Sequence, residues 1–220
     1  MKRLKIRMSI DVKICGINSP EALDAAAQGG AKMLGFVFFN NSPRNVTLDE
    51  ARDLLAWVPQ GITKVALTVD PSDAHAQSIA RQLPFDMIQL HGSESVERVA
   101  ELKANTGLAV MKAVGIEGPD DIARAHAYED VCDYILLDAK PPKGAALPGG
   151  NALSFDWTLI AGEKWRKPWL LAGGLTAENL AEAVKTSAAN FVDVSSGVED
   201  APGQKSVEKI RAFLDLARSL

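Results

Sequence analysis

Val12-Lys13-Ile14-Cys15-Gly16, near the start of the chain, is an apolar run that ends in a thiol and then a glycine. Lys13 and Cys15 project from the same face of a strand, because alternate residues do so. Gly16 lets the backbone turn directly afterwards. A cysteine in this position is more often a small buried hydrophobe than a reactive group. The run gains weight because the same plan, an apolar run followed by a turn and a helical pattern, recurs along the chain.

Eight such apolar runs alternate with segments of helical spacing. The predicted strands are Val12–Cys15, Met33–Phe38, Ile62–Val69, Asp86–Leu90, Leu108–Ala113, Tyr134–Asp138, Pro168–Ala172 and Phe191–Val194. Helical faces include Ala51, Leu54, Leu55 and Val58, then Leu180, Ala183 and Val184, then Val207, Ile210, Phe213 and Leu214. Ser19 before Pro20, and Thr47 with Glu50, are start signals for the first two helices.

Eight strands and eight helices in one alternating series predict an α/β fold with a parallel sheet. A single-domain (β/α)8 barrel, the TIM barrel, fits a chain of 220 residues, although near the lower size limit. A doubly wound open sheet is the alternative. No G-x-G-x-x-G sequence follows the first strand, which favours the barrel.

Composition limits the classes of function. The net charge of −4 argues against nucleic acid as a partner, and no apolar run approaches the roughly 18 residues of a membrane span. Residues 1–10 are expected to be a short basic N-terminal extension to a domain covering residues 1–220. The two cysteines, Cys15 and Cys132, lack a C-x-x-C arrangement, so neither a disulfide framework nor a metal site is expected. A reducing, cytoplasmic setting is the simplest interpretation.

In a barrel, chemistry belongs at the carboxyl ends of the strands and phosphate in the loops after strands seven and eight. Those loops contain Gly173-Gly174 and Ser195-Ser196-Gly197, where backbone N–H groups can approach an anion without obstruction. A short helix starting near Ser195 would favour an anion at the same point. The alternative to phosphate binding is that the glycines are required only by tight turns, and this would be enough to explain one such loop. Two loops at these positions favour phosphate.

Other strand ends carry polar side chains. Asp138 ends strand six and suits general acid work if it holds its proton, or else caps the following loop. The segment from Ala139 to Ser154 has no strand or helix pattern, which is typical of a lid over a substrate. Arg44 after strand two could bind a carboxylate, and His91 ends strand four. His75 and His126 lie in helical segments and are expected to be surface residues, and Cys132 is expected to lie in the core.

Six motifs in order, K-I-C-G, F-V-F-x-x-x-S-P-R, I-Q-L-H-G, L-L-D-A-K, L-A-G-G-L and V-D-V-S-S-G-V-E, closely resemble the phosphoribosylanthranilate isomerase family. The similarity runs from about Val12 to Leu220. It implies a (β/α)8 enzyme of tryptophan biosynthesis that catalyses an Amadori rearrangement of N-(5-phosphoribosyl)anthranilate without metal or cofactor. Its partner would be this small phosphorylated substrate, and the protein would be a monomer or a homodimer.

The resemblance also implies roles for particular residues. Cys15 would be the general base and Asp138 the general acid. Arg44 would hold the anthranilate carboxylate, His91 would lie at the substrate, and Gly173, Gly174, Ser195, Ser196 and Gly197 would bind phosphate. A free thiol has a pKa near 8.5, so we expect Lys13 to lower the pKa of Cys15.

The chain departs from the family pattern at two places. Asn41 stands where the family often has lysine, and Gly149-Gly150-Asn151-Ala152 replaces the usual G-G-T-G. Two alternatives therefore stay open. One is another sugar-phosphate barrel enzyme that shares only the phosphate site, although the pairing of Cys15 with Asp138 argues against it. The other is a catalytically silent barrel that binds a phosphorylated metabolite.

Overall fold

The protein is a closed barrel of eight parallel strands in chain order, with the last strand paired to the first. This computed structural model describes residues 9–141, 144, 149–150 and 152–220, so most of the expected N-terminal extension lies outside the described residues. The prediction of a (β/α)8 barrel is confirmed. Its strands are β1 (Asp11–Cys15), β2 (Met33–Phe38), β3 (Thr63–Thr68), β4 (Met87–Leu90), β5 (Ala109–Ile116), β6 (Tyr134–Ala139), β7 (Trp169–Leu171) and β8 (Phe191–Val194).

Seven α-helices surround the barrel in the part of the chain that the structure describes. They are α1 (Pro20–Gln28), α2 (Leu48–Leu55), α3 (Asp73–Gln82), α4 (Val96–Thr106), α5 (Pro119–Ala127), α6 (Leu180–Ser187) and α7 (Val207–Ser219). The two predicted start signals are confirmed. Ser19 accepts a hydrogen bond from the Ala22 N–H, and Thr47 and Glu50 form a capping box. None of the described helices has both the length and the apolar character that crossing a membrane requires.

The expectation of eight helices is wrong for the unit between β6 and β7. A four-residue 3₁₀ turn, Trp157–Ile160, stands there instead. Asp156 starts this turn by accepting a hydrogen bond from the Thr158 N–H. Gly162, with a φ of 82°, then turns the chain away soon afterwards, leaving no room for an α-helix before β7. The hairpin of β9 (Glu199–Ala201) and β10 (Gln204–Lys205) was also not expected, because its residues lack an apolar alternation.

Two apolar layers explain why the strands are nearly continuous apolar runs. One face of each strand packs against the helices, and the other fills the barrel. The filling of the barrel is mainly Met33, Val65, Met87, Met111, Leu136 and Leu170. Three polar side chains, Lys13, Gln89 and Asp193, are also buried on β1, β4 and β8. Such buried polar groups need partners, and they lie next to the residues predicted to be functional.

A buried ion pair holds the loop that follows β4. Lys112 Nζ lies 2.6 Å from Glu94 Oε2 and donates to the Gly92 carbonyl oxygen at 2.8 Å. Glu94 in turn accepts hydrogen bonds from the N–H groups of Gly92 and Asp70. Since both charges are almost fully buried, the pair fixes the backbone beside His91.

Replacing Lys112 by methionine should destabilise the fold strongly, because Glu94 would remain buried without a counter-charge. We expect a loss of about 3–5 kcal/mol in the free energy of unfolding, measured by urea denaturation. Lys103→Met is the matched control, since the Lys103–Asp133 pair is half-exposed and should be worth less than about 1 kcal/mol. Equal losses in the two variants would contradict this assignment.

Candidate active site

A cleft of about 790 Å³ opens at the carboxyl ends of the barrel strands. Eight of the nine predicted site residues line it: Cys15, Arg44, His91, Asp138, Gly173, Gly174, Ser195 and Ser196. The ninth, Gly197, lines a neighbouring groove instead. A Cβ on Gly197 would lie only 1.9 Å from the Leu175 carbonyl oxygen, so the residue lets two loops approach each other.

Cys15 lies at the floor of this cleft beside a buried ion pair. Lys13 Nζ donates to Asp193 Oδ1 at 2.7 Å, across the seam between β1 and β8. Burial raises the pKa of the Cys15 thiol, and the Asp193 carboxylate raises it further, whereas Lys13 and Lys205 lower it. The result is a pKa above the ordinary value. Lys13 acts on the Cys15 pKa in the expected direction, but the net pKa is raised because desolvation outweighs the two ammonium groups.

Lys13 keeps its charge in this buried position. Burial lowers the pKa of Lys13, but Asp193 and Cys15 more than compensate, so its pKa lies above the ordinary value. Gly35, opposite Cys15 in the register of β1 and β2, makes room for both side chains. A Cβ on Gly35 would lie 3.1 Å from Cys15 Sγ and 3.1 Å from Lys13 Nζ.

Asp138 and His91 face each other at the rim. Asp138 Oδ1 accepts a hydrogen bond from the Ala139 N–H at 2.8 Å, and Oδ2 lies 3.2 Å from His91 Nε2. His91 Nδ1 lies 3.0 Å from the side-chain amide nitrogen of Gln89. A Cβ on Gly149 would lie 2.6 Å from His91 Nε2, so the segment after β6 passes directly over this pair.

Arg44 binds a carboxylate of the chain itself. Its Nε and Nη2 donate to Glu199 Oε1 and Oε2 at 2.7 and 2.8 Å. Glu199 Oε1 also accepts from Lys205 Nζ at 2.7 Å. Burial raises the pKa of Glu199, but Arg44 and Lys205 outweigh burial and hold it below the ordinary value. Glu199 is therefore an anion at neutral pH, and the Nη1 side of Arg44 faces Gly150 and the cleft.

Lys205 joins this cluster to the floor of the cleft. Its ammonium donates to the Ser195 carbonyl oxygen at 3.0 Å as well as to Glu199. Burial lowers the pKa of Lys205, and the neighbouring Arg44 adds to this effect; Glu199 and Cys15 compensate only in part.

The loops after β7 and β8 present backbone to the cleft. Gly173 and Gly174 have φ values of 88° and 58°, which favour glycine. No described residue accepts a hydrogen bond from their N–H groups. Asn179 fixes this loop by donating to the Gly174 carbonyl oxygen at 2.9 Å. The short helix expected near Ser195 is a 3₁₀ turn at Ser196–Val198.

An apolar wall completes the cleft on the side of Cys15. It consists of Val37, Phe39, Leu67 and Val69, with Leu153 at the outer edge. Such a wall beside a few charged groups is typical of a binding site for a small molecule.

The expected lid is described only in part. Pro142, Pro148 and Asn151 lie outside the described residues. Ala152 has a φ of 56°, a left-handed conformation that costs a residue with a Cβ about 1–2 kcal/mol. This alanine stands where the resembled family usually has glycine. The replacement of glycine by alanine therefore strains the backbone of the segment over the cleft.

Sequence reasoning missed four residues of the site: Gln89, Asp193, Glu199 and Lys205. Asp193 and Gln89 could have been found, because each lies two positions before a predicted rim residue and thus on the same strand face. Glu199 and Lys205 depend on the β9–β10 hairpin, for which the sequence has no periodic signal. The expectation that Cys132 lies in the core is confirmed, since it is wholly buried, and burial raises its pKa to about 11. The expectation that His75 is a surface residue is also confirmed, since it is exposed. His126 is partly buried and stacks on Trp165.

Comparison with known proteins bears on the identity of this cleft. Residues 12–216 match the family model described as N-(5'-phosphoribosyl)anthranilate (PRA) isomerase. A curated protein of that name from Cereibacter sphaeroides is 56% identical over 209 residues, covering 95% of this chain and 99% of its own.

Solved structures agree with the sequence match. A phosphoribosyl anthranilate isomerase crystallised with reduced 1-(o-carboxyphenylamino)-1-deoxyribulose 5-phosphate has a TM-score of 0.83 and 32% identity, covering 96% of this chain and 100% of the other. Monomers of the dimeric enzyme from Thermotoga maritima give a TM-score of 0.82 and 32% identity over the same shares of the two chains.

The chain belongs to the N-(5'-phosphoribosyl)anthranilate isomerase family. The resemblance seen in the six motifs is thereby confirmed, as are the TIM-barrel fold and the assignment to an isomerase of tryptophan biosynthesis. No group of three or more His, Cys, Asp or Glu side chains within the described ranges could hold a metal ion.

Gly35→Ala tests whether the isomerase needs the space between Cys15 and Lys13. The new methyl group would press on both side chains, and displacement of the thiol should lower kcat/KM by about tenfold or more. Gly118→Ala is the matched control, because nothing lies within 4 Å of its Cβ position and its φ is extended. Unchanged isomerase activity in a folded Gly35→Ala variant would show that the thiol has room to move.

Proposed function

We propose that Asp138 and Cys15 are the general acid and general base of the isomerase reaction. The substrate is N-(5-phospho-β-D-ribosyl)anthranilate and the product is 1-(2-carboxyphenylamino)-1-deoxy-D-ribulose 5-phosphate. The observation that carries this proposal is that the thiol and the carboxyl group share one cleft with Arg44 and with the two glycine- and serine-containing loops.

The first step opens the sugar ring. Asp138 in its protonated form gives a proton to the furanose ring oxygen, the bond from that oxygen to C1 breaks, and the anthranilate nitrogen becomes an iminium. Asp138 is 7% exposed, and a carboxyl group in such a position is a suitable proton donor. The His91 ring beside Oδ2 can donate a hydrogen bond to the carboxylate that remains.

The second step removes a proton from C2. The thiolate of Cys15 takes this proton, and the electron pair flows towards the iminium nitrogen to give an enolamine. The enolamine becomes the ketone as C1 gains a proton and the C2 hydroxyl loses one. A raised thiol pKa makes the thiolate a stronger base but a scarcer one, and Lys13 and Lys205 stabilise the thiolate.

The rest of the cleft suits the two ends of the substrate. The apolar wall of Val37, Phe39, Leu67 and Val69 would contact the aromatic ring. Arg44 would bind the anthranilate carboxylate through Nη1, since Glu199 accepts from its Nε and Nη2. At the other end, the N–H groups of Gly173 and Gly174 and the residues Ser195, Ser196 and Gly197 would hold the phosphate. The affinity also depends on Ala152 and, outside the described residues, on Asn151.

The setting proposed is the cytoplasm, with the protein as a monomer or homodimer and with no nucleic acid partner. Both cysteines are buried and unbonded, which suits a reducing compartment. The net charge of −4 supports the absence of a nucleic acid partner.

Cys15→Ser and Asp138→Asn should each lower kcat by about 10²–10⁴-fold, because each removes one proton-transfer group with little change of shape. The loss of substrate fluorescence measures the rate. Cys132→Ser is the matched control, since it changes the other buried cysteine and should leave kcat unchanged. Full activity in Cys15→Ser or in Asp138→Asn would refute the assigned mechanism.

The pH dependence of kcat/KM should follow the charges around Cys15. The base must be deprotonated, and its pKa is raised, so the thiolate fraction on which the rate depends rises with pH along a limb placed above the pKa of about 8.5 of a free thiol. Lys13→Met removes a stabilising charge and should move this limb to higher pH. Asp193→Asn removes a destabilising charge and should move it to lower pH.

A Cys132→Ser background lets the same shifts be measured directly, as the pH dependence of Cys15 alkylation. Identical profiles in the two variants would show that the Lys13–Asp193 pair has only a structural role. Thermal unfolding checks that each variant is folded, since each leaves one buried charge without its partner.

A further inference from the structure

Gln89 is a wholly buried amide two residues before His91 on the same face of β4. Its Nε2 lies 3.0 Å from His91 Nδ1. Its Oε1 is buried and has no hydrogen-bond partner among the described residues. Leaving one end of a buried amide without a hydrogen bond costs stability. The contact at the other end, between Nε2 and His91, is therefore the one that could explain why an amide stands here.

The orientation of this amide decides which nitrogen of His91 carries the proton. An amide NH₂ can only donate, so Nδ1 must accept and the proton of a neutral ring is on Nε2. The reverse orientation would leave the NH₂ group, with two donors, in the place where the oxygen now lacks a partner. Unpaired buried donors are rarer in proteins than unpaired oxygens, and this favours the orientation in which Gln89 donates.

The consequence reaches Asp138 through the ring. With its proton on Nε2, His91 donates to Asp138 Oδ2 across 3.2 Å. The proton of the Asp138 carboxyl group is then directed away from His91 and is available to the cleft. The NH₂ group opposite Nδ1 also opposes a second proton on the ring, because two donors would face each other.

A charged His91 would harm the acid. An imidazolium beside Asp138 would favour the carboxylate form, and a carboxylate has no proton to give. The other charged groups around His91 are already held by partners: Glu94 by Lys112, Asp70 by the Ser93 N–H, and Lys140 by Glu117. Gln89 is thus the group that faces the free ring nitrogen.

We propose that Gln89 is a positioning residue of the isomerase, which fixes the proton of a neutral His91 on Nε2, so that the ring donates to Asp138 Oδ2 and stabilises the carboxylate left once Asp138 has given its proton to the substrate. This inference rests on the proposed acid role of Asp138. It assigns no contact between Gln89 and the substrate.

Two variants of similar size separate this role from simple packing. Gln89→Glu places an acceptor opposite Nδ1, which supports a proton there and a charged ring. Gln89→Met removes the donor without adding an acceptor. We expect kcat at pH 8 to fall by about 10²-fold or more in Gln89→Glu, as for loss of a general acid, and by less than about tenfold in Gln89→Met.

Two further readouts distinguish the possible outcomes. ¹⁵N NMR of the His91 ring should show a neutral Nε2–H form in the unaltered protein, and at the same pH it should show a doubly protonated ring in Gln89→Glu but not in Gln89→Met. Equal losses of kcat in the two variants with the same neutral ring in both, or an Nδ1–H ring in the unaltered protein, would overturn the inference. Full activity of Asp138→Asn would instead overturn the proposed acid, so the two failures are distinguishable.

Discussion

The buried ion pair between Lys13 and Asp193 is the constraint on which the site depends. It joins β1 to β8 at the seam where the barrel closes, and it lies beside the Cys15 thiol. Neither charge could remain there without the other, since an unpaired buried charge is costly. The closure of the barrel and the electrostatics of Cys15 are therefore properties of the same two side chains.

In the proposed reaction, the two proton-transfer groups, Cys15 and Asp138, make opposite demands on one cleft. Cys15 must lose a proton in a place where burial favours keeping it, and the ammonium groups of Lys13 and Lys205 oppose that tendency. Asp138 must keep a proton, and its neighbour is a histidine ring rather than a lysine or arginine. Ammonium groups therefore lie beside the thiol at the floor of the cleft, and a histidine ring lies beside the carboxyl group at its rim.

The strand pattern and the rim residues could be predicted from the sequence because they depend on local periodicity. Cys15, Asp138 and His91 end apolar runs, and the barrel brings such ends together. The net pKa of Cys15 could not be predicted, because it depends on how deeply the thiol is buried and on Lys205, which lies far along the chain. The 3₁₀ turn at Trp157–Ile160 was missed for another reason: a helix was inferred from the regular alternation of units rather than from the residues themselves.

The hairpin from Glu199 to Lys205 shows why a barrel of this kind recruits a segment outside its repeating units. Arg44 alone would be a long flexible side chain in a loop, and ordering it on binding would cost conformational entropy. Glu199 holds the guanidinium by two hydrogen bonds before any ligand arrives, and it binds Lys205 at the same carboxylate. One buried anion thus orients the group that would recognise a carboxylate and holds one of the two ammonium groups that act on the thiol. Because both depend on Glu199, the proposed recognition of the substrate carboxylate and the strength of the proposed base are physically linked.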